Sequence, residues 1–188
     1  MSRAVLSIGS NMGDRTELLA SVRARLAPNV VAASAIFSTP PWGPVSQEDF
    51  HNAVLIVDDD AVTPMDWLQL GFELERAAQR TRAVRWGPRT LDVDVISAQI
   101  DGVAVRSDDE TLTLPHPRAH LRAFVLVPWL DADPAARLWT ARGERSVSEL
   151  IDLLDPGEVA AVTPLSTPGW DPVTLPAARS SQRREDLG

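Results

Sequence analysis

Apolar and polar positions change period several times along the chain, and each change marks an element. Residues 4–8 (AVLSI) form an apolar run of strand length, followed by the turn-rich GSNMGD. Leu18, Leu19, Val22 and Leu26 recur at helical spacing and predict a helix over 15–27, with Asp14 as its cap and Pro28-Asn29 as its stop. A second strand is predicted over 30–38. Residues 39–46 (TPPWGPVS) hold three prolines and a glycine, so they read as a stiff loop. A third strand spans 50–57 and a helix opened by Thr63-Pro64 spans 64–80. A fourth strand covers 91–97, and 99–106 suit a hairpin about Asp101-Gly102. Residues 114–130 read as a Pro-bounded loop and a short helix, 146–154 as a last helix, and 158–162 as an edge strand. From Thr163 onward Pro, Ser, Thr and Arg dominate, which predicts a disordered tail. The order β-α-β-β-α-β predicts an α+β fold, an antiparallel-rich sheet with helices packed on one face.

Composition narrows the chemistry. The 188 residues suit one domain, with the tail over 164–188 outside it. No apolar run reaches the ~20 residues of a membrane span, and the first residues lack the apolar block of a signal peptide. A cytoplasmic protein without a membrane partner is expected. The formal net charge of -8 argues against a general nucleic-acid binder. Cys is absent, which excludes disulfides and zinc-thiolate sites. Lys is absent too, and all 18 basic residues are Arg. That excludes a P-loop lysine and Schiff-base catalysis, and leaves guanidinium forks for any phosphate chemistry.

The densest chemistry lies in RWGPRTLDVDV, which starts at Arg85. In a strand, Asp92 and Asp94 share one face while Val93 and Val95 turn to the core. Two carboxylates ~5 Å apart repel by roughly 3 kcal/mol at an effective dielectric of 20, so something must neutralise them. Hard oxygen donors suit Mg2+, and a structural network with Arg85 or Arg89 is the alternative. Arg80, Arg82, Arg85 and Arg89 outnumber the aspartates, and the surplus suits a polyanion such as a triphosphate. His116, between two prolines, is a candidate donor to phosphate, whereas His51 and His120 read as structural. Trp42 and Phe50 could stack a planar heterocycle whose edge Asn52 reads. GSNMGD lacks a G-x-G-x-x-G pattern and reads as a turn with a helix cap.

Taken together, IGSNMGDR, FSTPPWGP, FHNAV, RWGPRTLDVDV and LPHPRAHLRAFVL occur in the order and approximate spacing of the 6-hydroxymethyl-7,8-dihydropterin pyrophosphokinase family. The resemblance spans roughly residues 3–163. It implies a catalytic domain over 1–163 with a ferredoxin-like three-layer α/β sandwich and mobile catalytic loops. It also implies transfer of pyrophosphate from MgATP to 6-hydroxymethyl-7,8-dihydropterin, giving AMP and the pterin diphosphate in folate biosynthesis. On this resemblance Asp92 and Asp94 hold two Mg2+ ions. Thr39, Pro40, Trp42, Phe50, Asn52 and Phe124 line the pterin pocket, with Phe50 and Phe124 sandwiching the ring. Glu75, Arg80, Arg82, Trp86, Arg89, His116 and Arg122 match positions that bind ATP, and Arg82 and Arg89 match catalytic loop arginines. Phe50 stands where the family often has Tyr, Phe72 where Gln is common, and Gln79 where Gly often precedes the first loop arginine. The expected partners are the two small substrates, and the expected state is a monomer. Two rivals remain: another metal-dependent phosphotransferase or nucleotide hydrolase on this fold, and a catalytically inert nucleotide-binding module.

Overall fold

The computed structural model describes residues 1–41, 47–78 and 90–176. In chain order the elements are β1 (Ser2–Ser10), α1 (Arg15–Leu26), β2 (Val30–Ala33), β3 (Phe37–Thr39), β4 (Phe50–Asp59) and α2 (Pro64–Ala77). Next come β5 (Asp92–Ile100), β6 (Val103–Ala104), β7 (Ser107–Asp108), β8 (Thr113–Leu114), a 3-10 turn at Ala119–Leu121 and α3 (Ala123–Ala132). β9 (Arg137–Thr140), β10 (Gly143–Ser146), α4 (Val147–Ile151), α5 (Pro156–Ala160) and β11 (Thr163–Pro164) complete them.

Seven strands form one antiparallel sheet in the order β11-β3-β4-β1-β5-β6, with β2 also paired to β4. β1 lies between β4 and β5 and is buried along nearly its whole length. The predicted strand over 30–38 is split. Ser34 interrupts it by donating its N–H to the Val54 carbonyl while its Oγ accepts the Val54 N–H, both at 2.9 Å. β2 and β3 therefore follow one edge of β4 with a side-chain splice between them.

Helices cover both faces, not one. α1 and α2 close the first face over Leu6, Ile8, Leu55, Val93 and Val95. Their starts follow the sequence: the Asp14 carboxylate accepts the Glu17 N–H, and Thr63 and Asp66 form a capping box ahead of Pro64. The second face carries Val5, Val54, Ile56 and Ile96, which need their own cover. α3 supplies it, with Val125, Leu126 and Trp129 buried against them. The one-face expectation fails because the β-α-β-β-α-β count stops before α3, whose apolar residues lie beyond it.

Two more expectations are corrected. Residues 156–160 form α5, because Asp155 caps the N–H groups of Gly157 and Glu158 and Pro156 suits a first helical position. The edge strand is instead β11, paired with β3. The predicted disordered tail is ordered through residue 176. Leu165 N–H bonds the Ile36 carbonyl, Trp170 Nε1–H the Ser34 carbonyl at 2.7 Å, and Val173 pairs with Ala33 in both directions. This segment covers the outer edge of β2 and β3, a row of polar groups otherwise open to pairing. Residues 177–188 lie outside the described residues. Strand edges at 137–146 and 107–114 were not anticipated. No described helix is long and apolar enough to cross a membrane.

Candidate active site

One row of the sheet organises the site. Phe37 of β3 pairs with Asn52 of β4, Asn52 with Gly9 of β1, and Gly9 with Asp92 of β5. Directly paired residues project to the same face, here the face covered by α3. Asn52 is buried and donates its side-chain amide to Thr39 Oγ1 at 2.6 Å. Its carbonyl end lies across Gly9: a Cβ at position 9 would meet Asn52 Oδ1 at 2.3 Å. Gly9 is thus required for close approach, not for backbone freedom. Phe50 pairs with Thr39 one step further along the same face, and Phe124 packs at the margin of the α3 core. Pro40 is exposed at the end of β3. Trp42 lies outside the described residues.

The aspartates behave as the strand period requires. Val93 and Val95 are buried in the α1–α2 core, and Asp92 and Asp94 are half-buried on the opposite face. Two supports fix β5 here. Gly71 of α2 lets the helix approach until its Cβ position is 3.2 Å from Val93 Cγ1. Glu75, buried, accepts the Val93 N–H at 3.0 Å, covering the side of β5 that faces away from β1. Arg122, at the start of α3, places Nη1 3.5 Å from Asp94 Oδ2 and its guanidinium over the Phe124 ring at 5.5 Å. The structural partners expected from the sequence, Arg85 or Arg89, lie outside the described residues, and Arg122 is a described partner of Asp94. Arg80, Arg82, Arg85, Trp86 and Arg89 lie outside the described residues.

His116 is brought to the aspartates by the loop before α3. Its N–H bonds the Ile96 carbonyl at 2.8 Å, and its Nδ1 accepts the Arg118 N–H at 3.2 Å. That acceptor role leaves the proton on Nε2 of the neutral ring, ready to donate. Burial, aided by the Arg122 charge, pushes the imidazole down to about 4. It is therefore neutral near pH 7, in a place where Asp92 alone would favour the cation.

These groups open on a cleft of about 250 Å³ lined by Asp92, Asp94, Glu75, His116, Leu68 and Phe72. Phe72, 41% exposed, offers a ring to this cleft. The residues 110–113 between and along β7 and β8 close the other side. They escaped sequence reasoning because a short polar stretch carries no period. GSNMGD also had a further role. Asn11 is buried and its amide bonds Gln47 Oε1 at 2.9 Å and the Glu48 carbonyl at 3.2 Å, so the β1–α1 turn holds residues 47–48 just ahead of β4.

Among the described residues no group of three or more acidic or His side chains converges on a metal position. Two half-exposed carboxylates at a cleft suit a hard divalent cation that keeps several water or phosphate ligands, and do not suit an all-protein cage.

Residues 5–134 match the family described as 7,8-dihydro-6-hydroxymethylpterin-pyrophosphokinase (HPPK). A 2-amino-4-hydroxy-6-hydroxymethyldihydropteridine pyrophosphokinase of Mycobacterium tuberculosis is 49% identical over 176 residues, covering 91% of this chain and 93% of its own. The protein of that name from Mycobacterium leprae is 47% identical over 190 residues, covering 98% of this chain and 96% of its own. A crystal structure of a Plasmodium falciparum HPPK-DHPS variant superimposes with a TM-score of 0.56 at 12% identity, over 80% of this chain. This chain spans 45% of that larger protein, and the likeness is one of fold. On this evidence of sequence and architecture, the chain belongs to the 7,8-dihydro-6-hydroxymethylpterin-pyrophosphokinase family.

Proposed function

We propose that the chain transfers the terminal pyrophosphoryl group of ATP to the hydroxymethyl oxygen of 6-hydroxymethyl-7,8-dihydropterin, a step of folate biosynthesis. The hydroxymethyl oxygen attacks the β-phosphorus and loses its proton. The bond from that phosphorus to the oxygen bridging the α-phosphate breaks, and AMP leaves. The observation that carries this reading is the row Asn52–Gly9–Asp92, which sets an amide that can read a heterocycle edge beside a carboxylate pair on one face.

Asn52, held by Thr39, offers fixed amide geometry to the pterin edge, and Phe50 and Phe124 supply flat apolar surface for its ring. Thr39, Pro40 and Trp42 complete that pocket. Asp92 and Asp94 are the residues that would hold two Mg2+ ions, whose chemistry when bound is to neutralise the triphosphate and polarise the β-phosphate. Neutral His116 donates from Nε2 to a phosphate oxygen, adding a hydrogen bond without a competing cation. Arg122 balances Asp94 and extends positive charge toward the nucleotide. Glu75, Arg80 and Trp86 belong to the ATP side. Arg82 and Arg89 engage the transferring group, where guanidinium forks match phosphate oxygens. The enzyme works as a cytoplasmic monomer on these two small substrates, without nucleic acid or membrane.

The test is a product assay with purified protein, MgATP and the dihydropterin. AMP appearing in step with the pterin diphosphate is expected. ADP, or ATP hydrolysis independent of the pterin, would overturn the reading. Asp92→Asn and Asp94→Asn should each abolish Mg2+-dependent turnover. Arg82→Ala should lower turnover far more than pterin affinity.

A further inference from the structure

A second cleft lies away from the aspartates, behind the 3-10 turn that leads into α3. It encloses about 320 Å³, within the range of small-ligand sites. Its wall is apolar: Leu121 from the turn, Leu150 from α4, and Leu153 and Leu154 after α4. Leu150 is buried, whereas Leu121 and Leu153 are 50% and 69% exposed, unusual for two leucines facing one hollow. The other side carries the Arg142 and Arg145 guanidiniums from the β9–β10 hairpin, with His120 of the turn beside them.

Neither guanidinium is in an ion pair with a described carboxylate, although the Arg145 charge helps to lower the pKa of Glu149. Three carboxylates of this region have partners of their own: Glu144 with Arg137 at 2.8 Å, Glu149 with the Ser146 cap at 2.9 Å, and Asp155 with the start of α5. Neither Arg142 nor Arg145 has a carboxylate within ion-pair distance among the described residues. The hairpin end that carries Arg142 is also preformed. Thr140 Oγ1 donates to the Gly143 carbonyl at 2.8 Å and accepts the Arg142 N–H at 3.1 Å, with Gly143 at φ 98° completing the turn. In a chain of net charge -8, two arginines without an ion pair therefore line one side of an apolar hollow.

We propose that this cleft binds a small apolar monocarboxylate, its chain or ring against the leucines and its carboxylate on Arg142 and Arg145. The charge complementarity selects the anion and the leucine wall selects its apolar body. A bare polyanion would leave that wall uncovered, and a neutral hydrocarbon would leave the arginines unused. The site does not depend on the reaction proposed above.

The test uses the full chain, 15N-labelled, titrated separately with 4-methylpentanoate, benzoate and 4-methylpentanamide. Saturable shifts are expected at the amides of Leu121, Thr140, Arg142 and Leu150, with the amide probe at least about tenfold weaker than its acid. An Arg142→Ala/Arg145→Ala double variant should erase that preference while its remaining spectrum stays in place. Equal binding of acid and amide would overturn the proposal. So would shifts confined to the surroundings of Asp92 and His116, or no saturation by either acid up to about 10 mM. Should the double variant fail to fold, the comparison of acid with amide on the unaltered chain decides alone.

Discussion

The Glu75 carboxylate accepts the backbone N–H of Val93 at 3.0 Å, and Val93 is the residue between Asp92 and Asp94. A buried side chain of α2 therefore fixes the strand segment that presents both carboxylates. Glu75→Ala would leave that N–H without its acceptor, at a cost of about 1–3 kcal/mol. Glu75→Gln keeps an acceptor oxygen and should retain most of the stability. Urea unfolding of the two variants checks this; equal stability of Glu75→Ala and the parent would remove the anchoring role.

Gly9→Ala tests the row across the sheet. The added methyl would meet Asn52 Oδ1 at 2.3 Å, so the amide must turn away from its bond to Thr39. We expect about 1–3 kcal/mol of lost stability from overpacking. KM for the dihydropterin should rise at least about tenfold, since one misaligned polar contact is worth about that much. ATP affinity should change little. Fluorescence titration with each substrate separates the two, and equal losses for both would contradict a pterin-side role for Asn52.

His116 predicts a pH dependence. Its folded pKa, about 4, lies below the ordinary value of 6.5, so the unfolded chain binds the proton more readily. The stability it contributes is complete above about pH 6.5 and is lost as pH falls toward 4. His51 is also lowered, by burial and by Arg15, and adds to the slope in the same direction. His116→Gln should therefore flatten, without abolishing, the dependence of stability on pH between these limits. Thermal unfolding of both proteins across this range reads the difference, and parallel curves would refute it.

The C-terminal segment should be structural as far as residue 176. Trp170 is buried, donates to the Ser34 carbonyl and lies under the Arg23 guanidinium at 4.8 Å. Trp170→Ala should cost about 3–5 kcal/mol. Truncation after Pro176 should leave the melting temperature nearly unchanged, whereas truncation after Pro164 should lower it by several degrees. Calorimetry on the two truncations decides.

What the sequence disclosed followed from period and spacing. Alternation placed Asp92 and Asp94 on one face with Val93 and Val95 on the other, because a strand leaves no other arrangement. Asp14 and Thr63 marked helix starts because their side chains satisfy amides that a helix leaves open. Contacts between distant segments were hidden. Nothing in the order of residues shows that Arg122 reaches Asp94, or that Asn52 lies over Gly9. The ordered tail was misread for a related reason. Its Pro, Ser and Thr content resembles disorder, yet Leu165, Trp170 and Val173 are spaced to bond an edge that only the folded sheet creates, and Leu175 N–H bonds the Ala132 carbonyl at the end of α3.

Between Val5 and Leu6 the pairing of β1 with β5 steps from Ser97 to Val95, leaving Ile96 as an extra residue in its strand. Such a residue stands outside the ladder, and it is the Ile96 carbonyl that receives His116 N–H. The loop that carries His116 is therefore moored to the sheet at a point where the sheet has no rung to lose. The hold on the catalytic-side loop and the β1–β5 ladder therefore draw on different backbone groups, so neither hydrogen bond is made at the expense of the other.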